Sequence, residues 1–574
     1  MSTDDVHRSS AAKPGPATDG PEPLRSSTAS DGDAFPTLDA EDLRVLEALG
    51  DRRSVARGQY LYREGDASYD FFYAIVSGEV EIIVDSHGEK RIITRHGASQ
   101  FLGELNLLTG VRVLVTARVA EAGEVIAVPR ETLRRLIATN PKLSDIILAA
   151  FVARRAVLLT GAASPIRVIG SRFSPETGRI REFLARSRIP HDWLDPDRDL
   201  AVDVLLREFR IAPSELPVVI ATGSVLRHPT PGHLADYLGL TVDSLPDRCF
   251  DLIVVGGGPA GLAAAVYGGS EGLRTLGLEM VAIGGQAGAS SRIENYLGFP
   301  TGISGGDLTH RAMVQAEKFG AHLTSPCAAT SLREEAGHLV IGLSDGTDVS
   351  GRAVIAATGA RYRRLEAEHL DKFEGNGVYY AATELEARQC AGSPVVIAGG
   401  GNSAGQAAMF LAEAGSPVTL LLRGPDLGAR MSRYLVDRVE AHPAITVSTS
   451  TVVRALEGEA ALGGVRVSRA DGDTTLDCVA LFSFIGADPA SEWLCGCARL
   501  DDSGFVLTDR SLDADNLDRR WEALGRKPLP FETSYPGLFA VGDLRSGSTK
   551  RVAAAVGEGS AVVRSVHDHL AFGS

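Results

Sequence analysis

The chain has 574 residues, and its 58 Lys and Arg against 73 Asp and Glu give a formal net charge of −15 at pH 7. This acidic surplus argues against general binding to nucleic acids or anionic membranes. No uncharged apolar run reaches the roughly 18 residues that a membrane-spanning helix needs, and the first residues lack the apolar core of a signal peptide. Six scattered cysteines indicate a reducing, cytoplasmic location, and no His, Cys or Asp cluster has metal-ligand spacing.

The first 160 residues divide into a tail and a small domain. Residues 1–35 are rich in Ser, Ala, Pro, Gly and Asp, so we predict a disordered tail that buries too little apolar surface to fold. Residues 36–160 begin with an amphipathic helix and continue with short alternating runs, which predicts an antiparallel barrel or jelly roll followed by helices. The predicted strands are residues 59–62, 71–75, 80–84 and 91–94.

Three segments of this domain resemble a cyclic-nucleotide-binding domain of the bacterial catabolite-activator type: Y-R-E-G-D (62–66), F-Y-A-I-V-S-G-E-V (72–80) and F-L-G-E-L-N-L-L (101–108). The resemblance implies that Gly103 and Leu105 offer backbone N–H groups to a cyclic phosphate. It also implies that Arg112 pairs with this phosphate and that Glu104 holds the ribose. A cyclic nucleotide such as cAMP would then be an effector. Bulky residues follow the arginine where the family has small ones, and the alternative is a barrel kept for packing or dimerisation.

Residues 165–245 alternate strand-like and helix-like segments, which predicts a small α/β domain. The segment order and the run E-L-P-V-V-I resemble a glutaredoxin or thioredoxin fold, and the resemblance implies a cis peptide before Pro217. The position of that family's C-x-x-C dithiol runs from Ser174 to Thr177 here, so both sulfurs are missing. A serine at a helix start is a good N-cap, but it carries no electrons. We therefore interpret the domain as a structural or docking module.

The run F-D-L-I-V-V-G-G-G-P-A-G, residues 250–261, is a dinucleotide-binding fingerprint in its expected setting. An apolar strand precedes the glycines, a helix follows them, and a second apolar run ends at Glu279. Gly256 allows a tight turn, Gly258 admits a pyrophosphate, and Gly261 lets helix and strand pack closely. The pyrophosphate would lie at the positive end of the helix, and Glu279 is placed to accept a hydrogen bond from an adenosine ribose.

A second fingerprint follows in V-V-I-A-G-G-G-N-S-A-G, with Gly399, Gly401 and Ala404 at its three positions, and the next apolar run ends at Arg423. Together with the segments G-G-Q, I-E-N-Y, K-R-V-A-A-A and a late G-L-F-A-V-G-D, the two motifs resemble low-molecular-weight thioredoxin reductases. This resemblance covers residues 249–574. It implies an FAD domain at residues 249–360 and 485–574, and an inserted NAD(P)H domain at residues 361–484.

The resemblance also implies which residues hold each cofactor. For FAD they are Gly256, Gly258, Pro259, Ala260, Gly261, Glu279, Gly285, Gln286, Asn295, Thr358, Gly359, Gly542, Asp543, Arg551, Val552 and Ala553. For NAD(P)H they are Gly399, Gly401, Asn402, Ser403, Ala404 and Arg423. Arg423, with no acid where a ribose would be read, favours NADPH over NADH. The predicted fold class is multidomain α/β plus β: a jelly roll, a thioredoxin-like domain and two Rossmann-like domains. The family relationship further implies a homodimer.

The redox dithiol of thioredoxin reductases is missing as well. In that family C-x-x-C follows G-V-x-Y, whereas G-V-Y-Y here continues with Ala381 and, three positions later, Glu384. Thiolate chemistry needs sulfur, and Cys495 and Cys497 form the only close pair of cysteines. We expect an FAD-dependent NADPH oxidoreductase, under cyclic-nucleotide control, that passes electrons to a small redox protein, a quinone or oxygen. Two alternatives stay open: a thioredoxin-disulfide reductase using other cysteines, and a redox sensor with little turnover.

Overall fold

The computed structural model describes residues 34–572 apart from residues 87, 88, 161–163, 200, 201, 222, 223, 243–247, 291, 460, 495, 514, 516 and 518. The predicted disordered tail lies almost entirely outside the described residues. The predicted fold class is confirmed, because a β-rich domain, a small α/β domain and two nucleotide-binding domains follow one another. Among the described residues, no helix is long and apolar enough to cross a membrane.

The N-terminal domain is an antiparallel β domain with helices around it. Its elements are α1 (Ala40–Glu47), β1 (Asp51–Val55), β2 (Tyr60–Tyr62), β3 (Phe71–Ser86), β4 (Glu89–His96), β5 (Phe101–Leu102), α2 (Asn106–Thr109), β6 (Thr116–Pro129), α3 (Arg130–Thr139) and α4 (Pro141–Thr160). The sheet order is β1-β6-β3-β4, with β2 on β6 and β5 on β3. Two predicted strands, 71–75 and 80–84, are one strand β3, because bulges between Ile75 and Val80 let the chain continue past Gly78.

The second domain has the predicted alternation, with one further strand. Its elements are β7 (Ile166–Ile169), α5 (Pro175–Arg186), β8 (His191–Leu194), α6 (Val202–Glu208), β9 (Val218–Ala221), β10 (Ser224–Arg227) and α7 (Pro231–Leu238). The sheet order is β10-β9-β7-β8, and only β7 and β8 are parallel. The Leu216–Pro217 peptide is cis, as predicted. Ser174 caps α5 by accepting a hydrogen bond from Thr177 N at 3.2 Å.

The third domain is built on a largely parallel sheet. Its first part comprises β11 (Cys249–Val255), α8 (Pro259–Ser270), β12 (Thr275–Leu278), α9 (Gly285–Gly288), α10 (Gly305–Lys318), β13 (His322–Thr324), β14 (Ala329–Glu335), β15 (His338–Leu343) and β16 (Asp348–Ala356). The parallel strands follow the order β13-β12-β11-β16. The sheet continues with β15, which is antiparallel to β16, and then with β14, which is antiparallel to β15. The predicted strand–glycine–helix unit is therefore present as β11, its loop and α8.

The fourth domain is inserted into the third. It comprises β17 (Ala360–Tyr362), α11 (Leu370–Phe373), β18 (Val378–Tyr379), α12 (Glu384–Cys390), β19 (Val395–Ala398), α13 (Asn402–Glu413), β20 (Val418–Leu421), α14 (Arg433–Ala441), β21 (Ile445–Ser448), β22 (Val452–Glu457), β23 (Gly464–Arg469), β24 (Gly472–Asp477), β25 (Ala480–Ser483) and β26 (Ala487–Pro489). Its parallel sheet has the order β18-β25-β19-β20-β21, and β17 pairs with β26 where the chain enters and leaves.

The chain then returns to the third domain and joins it to the other domains. It adds α15 (Arg519–Leu524), β27 (Leu538–Ala540), which pairs with β16, and α16 (Val552–Phe572). Val314 on α10 belongs to the apolar core of the N-terminal domain, and Val111 belongs to the core of the second domain. Arg188 Nη2 donates to Asp307 Oδ1 at 2.5 Å, which links the second domain to α10. The first three domains are thus in direct contact around α10.

Candidate nucleotide and flavin site

One cavity of about 1870 Å³ collects residues from all four domains. Its walls include Gly256 and Gly258 of the first fingerprint and Asn402 and Ser403 of the second, so both predicted nucleotide sites open into the same space. Sites for single drug-sized ligands are roughly 300–1,000 Å³. The cavity is therefore large enough for a dinucleotide, with room for a second ligand.

The loop between β11 and α8 depends on its glycines. Gly256 has φ +112°, and a Cβ there would lie 2.3 Å from Ala357 O. A Cβ on Gly261 would lie 1.8 Å from Gly256 O, so only glycine lets the helix pack this closely on the loop. At Gly258 the nearest neighbour of an added Cβ is Gly285 Cα, 3.9 Å away. The start of α8 thus presents its backbone to the cavity, and among the described residues no side chain blocks the approach at Gly258. A helix start of this kind can bind an anionic pyrophosphate.

Glu279 comes directly after β12 and braces this loop. Its Oε2 accepts a hydrogen bond from Gly257 N at 2.7 Å, and its Oε1 accepts one from Val281 N at 3.1 Å. Burial raises the pKa of the carboxyl, while these hydrogen bonds and the charge of Arg186 act in the opposite direction. Glu279 also lines the cavity, and a carboxylate has further lone pairs for a ribose hydroxyl.

Asp543 lies on the C-terminal side of the site, in the loop after β27. Burial raises its pKa, and the Lys550 ammonium donates a hydrogen bond to its backbone oxygen. The neighbouring Gly542 N donates to Glu558 Oε2 at 2.8 Å, and Arg545 Nη2 pairs with Glu558 Oε1 at 2.6 Å. This pair of Glu558 and Arg545 holds the Asp543 loop against α16 and was not predicted from the sequence. The sequence signal for Glu558 was a single acidic residue within the glycine-containing run G-E-G-S.

The structure brings most of the predicted FAD residues to the cavity. Those in its walls include Pro259, Ala260, Gly285, Gln286, Asn295, Thr358, Gly359, Arg551 and Val552. Gln286 Nε2 donates to Ala360 O, and Thr358 Oγ1 donates to Ala490 O at 2.6 Å. Ala553 is exposed and is not among the cavity-lining residues, whereas Ala555 lines the cavity. The glycine cradle, the acid after β12 and the Asp543 loop together fit an FAD.

The loop of the second fingerprint also requires glycine. Gly399 has φ +150°, and a Cβ there would lie 2.5 Å from Phe484 O. Asn402 Nδ2 donates to Ser432 Oγ at 3.0 Å, and its Oδ1 accepts from Ser432 N at 2.7 Å, so this side chain ties the start of α13 to the start of α14. Gly401 is the N-cap of α13. Arg423 is exposed two residues after β20, at the edge where a 2′-phosphate would be recognised.

No sulfur occupies the position of the family's dithiol. Ala381 lines the cavity in the loop between β18 and α12, and Glu384 is the first residue of α12. Burial raises the pKa of Cys390, the last residue of this helix, to about 11. A thiol with such a pKa is protonated near neutral pH, so it is a poor nucleophile and a poor redox group.

Three further cysteines are free thiols, namely Cys249, Cys327 and Cys478. Burial raises the pKa of both Cys327 and Cys478 to about 12, and Cys249 is half-buried. Cys497 Sγ donates to Leu332 O at 3.2 Å. Cys495, the other cysteine of this close pair, lies outside the described residues. In the described ranges no group of three His, Cys, Asp or Glu could hold a metal ion.

Glu104 and Arg112 of the N-terminal domain both contact protein groups. Glu104 is buried, and its Oε2 accepts a hydrogen bond from Arg155 Nη2 at 2.5 Å. Arg112 Nε donates to Tyr237 O of the second domain at 2.7 Å, and its Nη1 donates to Gly65 O at 2.7 Å. Both side chains therefore have protein partners at the predicted cyclic-nucleotide site.

A second, apolar cavity in the N-terminal domain measures about 40 Å³, with Phe35, Gly103 and Arg154 among its lining residues. The Arg154 guanidinium in its wall donates to Ala34 O at 2.8 Å, Gly103 O at 2.7 Å and Phe101 O at 3.0 Å. Ligand pockets are usually about 300 Å³ or more. Leu105 is buried and lines the large cavity instead. In this conformation the pocket beside Gly103 is closed.

Residues 250–559 match the family described as pyridine nucleotide-disulphide oxidoreductase, and residues 52–140 match the cyclic nucleotide-binding domain. Because the first match spans more than half of the 574 residues, the chain belongs to the pyridine nucleotide-disulphide oxidoreductase family. The predictions of an FAD-dependent pyridine-nucleotide oxidoreductase and of a fused N-terminal domain are confirmed.

Several thioredoxin reductases are similar to this chain. That of Treponema pallidum is 32% identical over 324 residues, which cover 56% of this chain and 97% of the relative. That of Mycolicibacterium smegmatis is 33% identical over 319 residues, which cover 54% of this chain and 93% of the relative. Among solved structures, Lactococcus lactis thioredoxin reductase in the FR conformation is 26% identical, with a TM-score of 0.50 over 56% of this chain and 99% of that one.

Proposed function

We propose that the protein transfers electrons from NADPH, through FAD, to an acceptor outside the chain without using a protein dithiol. The observation that carries the proposal is the pair Ala381 and Glu384, which stand where thioredoxin reductases have cysteines. The missing cysteines at Ser174 and Thr177 support the same reading. A small redox protein, a quinone or oxygen could each take electrons directly from a flavin.

Different residues around the cavity bind different parts of the cofactors. FAD, when bound, supplies the capacity to accept a hydride and to release electrons singly or in pairs. The start of α8 offers backbone N–H groups to the pyrophosphate, and Glu279 accepts from the adenosine ribose. Asp543, kept in place by the Glu558–Arg545 pair, accepts from hydroxyls of the ribityl chain. Arg423 pairs with the 2′-phosphate of NADPH.

An anaerobic titration of the purified protein with NADPH, followed by flavin absorbance, tests the proposal. We expect about one NADPH per FAD to complete the bleaching, because the flavin alone stores electrons. A need for about two would mean that a disulfide also takes electrons, which refutes the dithiol-free route. The variant Cys495→Ser/Cys497→Ser is the control that would then identify the disulfide. If NADPH bleached the flavin without turnover on any of the three acceptor classes, the sensor reading would replace this one.

We also propose that a cyclic nucleotide regulates the protein through Arg112. The match of residues 52–140 to the cyclic nucleotide-binding domain supports this proposal. Arg112 binds Tyr237 O of the second domain, so a cyclic phosphate would compete for the same guanidinium and loosen that contact. We expect calorimetric binding of cAMP or cGMP to the full chain, lost in Arg112→Ala and kept in Arg91→Ala, a change in the β4 hairpin. An absence of binding heat for both nucleotides would overturn the proposal.

A homodimer in the cytoplasm is the remaining part of the proposed function. The dimer is inferred from the thioredoxin reductase resemblance, and sedimentation equilibrium at several concentrations tests it. The free thiols among the described cysteines support a reducing compartment, since oxidising compartments favour disulfides. A protein that sediments as a monomer at micromolar concentration would contradict the dimer.

A further inference from the structure

The second domain reaches the wall of the FAD site through Arg186, the last residue of α5. Arg186 Nη2 donates to Gly285 O at 3.0 Å and to Ala282 O at 3.5 Å, and Nη1 pairs with Glu182 Oε1 at 3.3 Å. Gly285 lies directly against the fingerprint loop, because a Cβ on Gly285 would be 2.8 Å from Gly258 Cα. The guanidinium is therefore at the rim of the loop that accepts a pyrophosphate.

The charge of Arg186 acts on two groups in the wall of the large cavity, Glu279 and Tyr362. Burial raises the pKa of Glu279 and raises that of Tyr362 to about 12, and the Arg186 charge acts to lower both. All three side chains line the large cavity, and the Arg186 side chain is only 21% exposed. A partly desolvated guanidinium in this position suits an anionic ligand, for which its planar fork of N–H donors is well shaped.

We propose that Arg186 binds the anionic pyrophosphate–ribose portion of FAD, so that the thioredoxin-like domain completes the cofactor site of its neighbour. The proposal rests on FAD binding by the third domain. A guanidinium has five N–H donors, and those not used by Gly285, Ala282 and Glu182 remain for phosphate oxygens. The second domain has lost both sulfurs of its fold, and this contact gives it a role in holding the dinucleotide rather than in carrying electrons.

The release of FAD from the full-length holoprotein tests the proposal, because free FAD is more fluorescent than bound FAD. Arg186→Ala should release FAD about tenfold faster, as expected for the loss of a charge-assisted contact. Arg186→Lys keeps the charge but loses the fork, so it should fall between the wild type and Arg186→Ala. Added salt should speed release from the wild type more than from Arg186→Ala.

Arg188→Ala is the matched control, since it removes the ion pair to Asp307 at the same domain boundary without touching the fingerprint loop. Equal acceleration by Arg188→Ala and Arg186→Ala would show that Arg186 only docks the domain, and it would overturn the proposal. Unchanged release from Arg186→Ala would do the same, as long as the wild type retains FAD and is bleached by NADPH. A wild type without FAD would overturn the cofactor assignment as well. Arg186→Lys keeps the test decisive if Arg186→Ala fails to fold.

Discussion

Glu317, near the end of α10, should make the free energy of unfolding depend on pH. The substitution Glu317→Gln should remove this contribution. Its side chain lines the large cavity between α10 and the N-terminal domain, and its Oε2 has no hydrogen-bond partner among the described residues. Burial raises the pKa of this carboxyl to about 8, although the charges of Arg134 and Arg155 act to lower it. The folded protein therefore keeps Glu317 protonated at neutral pH.

The size of the effect follows from the two pKa values. In the unfolded chain Glu317 has the ordinary value of 4.5, so the unfolded state loses its proton well before the folded state does. A raised folded-state pKa gives stability that is full below pH 4.5 and is lost as the pH rises through about 8. Between pH 5.5 and pH 7.5 this difference removes about 2.5 kcal/mol from the free energy of unfolding.

Glu317→Gln mimics the protonated acid and cannot titrate. Urea unfolding at the two pH values, followed by tryptophan fluorescence, should show that the variant gains about 2.5 kcal/mol relative to the wild type on going to the higher pH. Glu366→Gln changes an exposed glutamate and should leave the pH dependence as it is in the wild type. If the free energies of unfolding of the wild type and of Glu317→Gln changed equally between the two pH values, Glu317 would not be a buried, protonated carboxyl.

Three further predictions concern the two nucleotide-binding domains. Arg526→Ala leaves the fully buried carboxylate of Glu532 without its bidentate partner and should lower the free energy of unfolding by about 3–5 kcal/mol. The control Arg564→Ala, at an exposed ion pair, should lower it by less than about 0.5 kcal/mol. Gly261→Ala places a Cβ 1.8 Å from a loop oxygen, so the purified variant should contain little FAD, measured as the ratio of flavin to protein absorbance. Arg423→Ala should raise the KM for NADPH about tenfold and that for NADH little, since only NADPH carries the 2′-phosphate, and equal changes would contradict this role.

The nucleotide-binding loops could be predicted from the sequence because their physics is local. At Gly256 and Gly399 a positive φ and a close backbone neighbour demand glycine, so the pattern of the residues carries the geometry. The strand before and the helix after each loop have equally local signals in apolar runs and length. For the same reason the N-cap at Ser174 could be predicted from a few neighbouring residues.

The contacts of the N-terminal domain could not be predicted in this way. Glu104 pairs with Arg155, 51 positions away, and Arg112 binds Tyr237 O, 125 positions away in another domain. A family resemblance predicts which residues contact the ligand. It does not predict which charged side chains contact the other domains of this chain. The strand β6 was missed because its first half, T-A-R-V-A-E-A-G-E, is poor in β-branched residues, and its pairing with β3 creates the strand.

Helix α10 contacts both the candidate flavin site and the N-terminal domain. Its start packs so tightly on α9 that a Cβ on Gly305 would lie 1.7 Å from Ala287 O, one residue from Gln286. Its far end carries Val314 and Glu317 to the N-terminal domain. A helix of 14 residues is about 21 Å long, so one continuous helix makes both contacts. If a cyclic nucleotide loosened this junction as well, linkage would require it to lower the proton affinity of Glu317, and proton release on binding would then report the change.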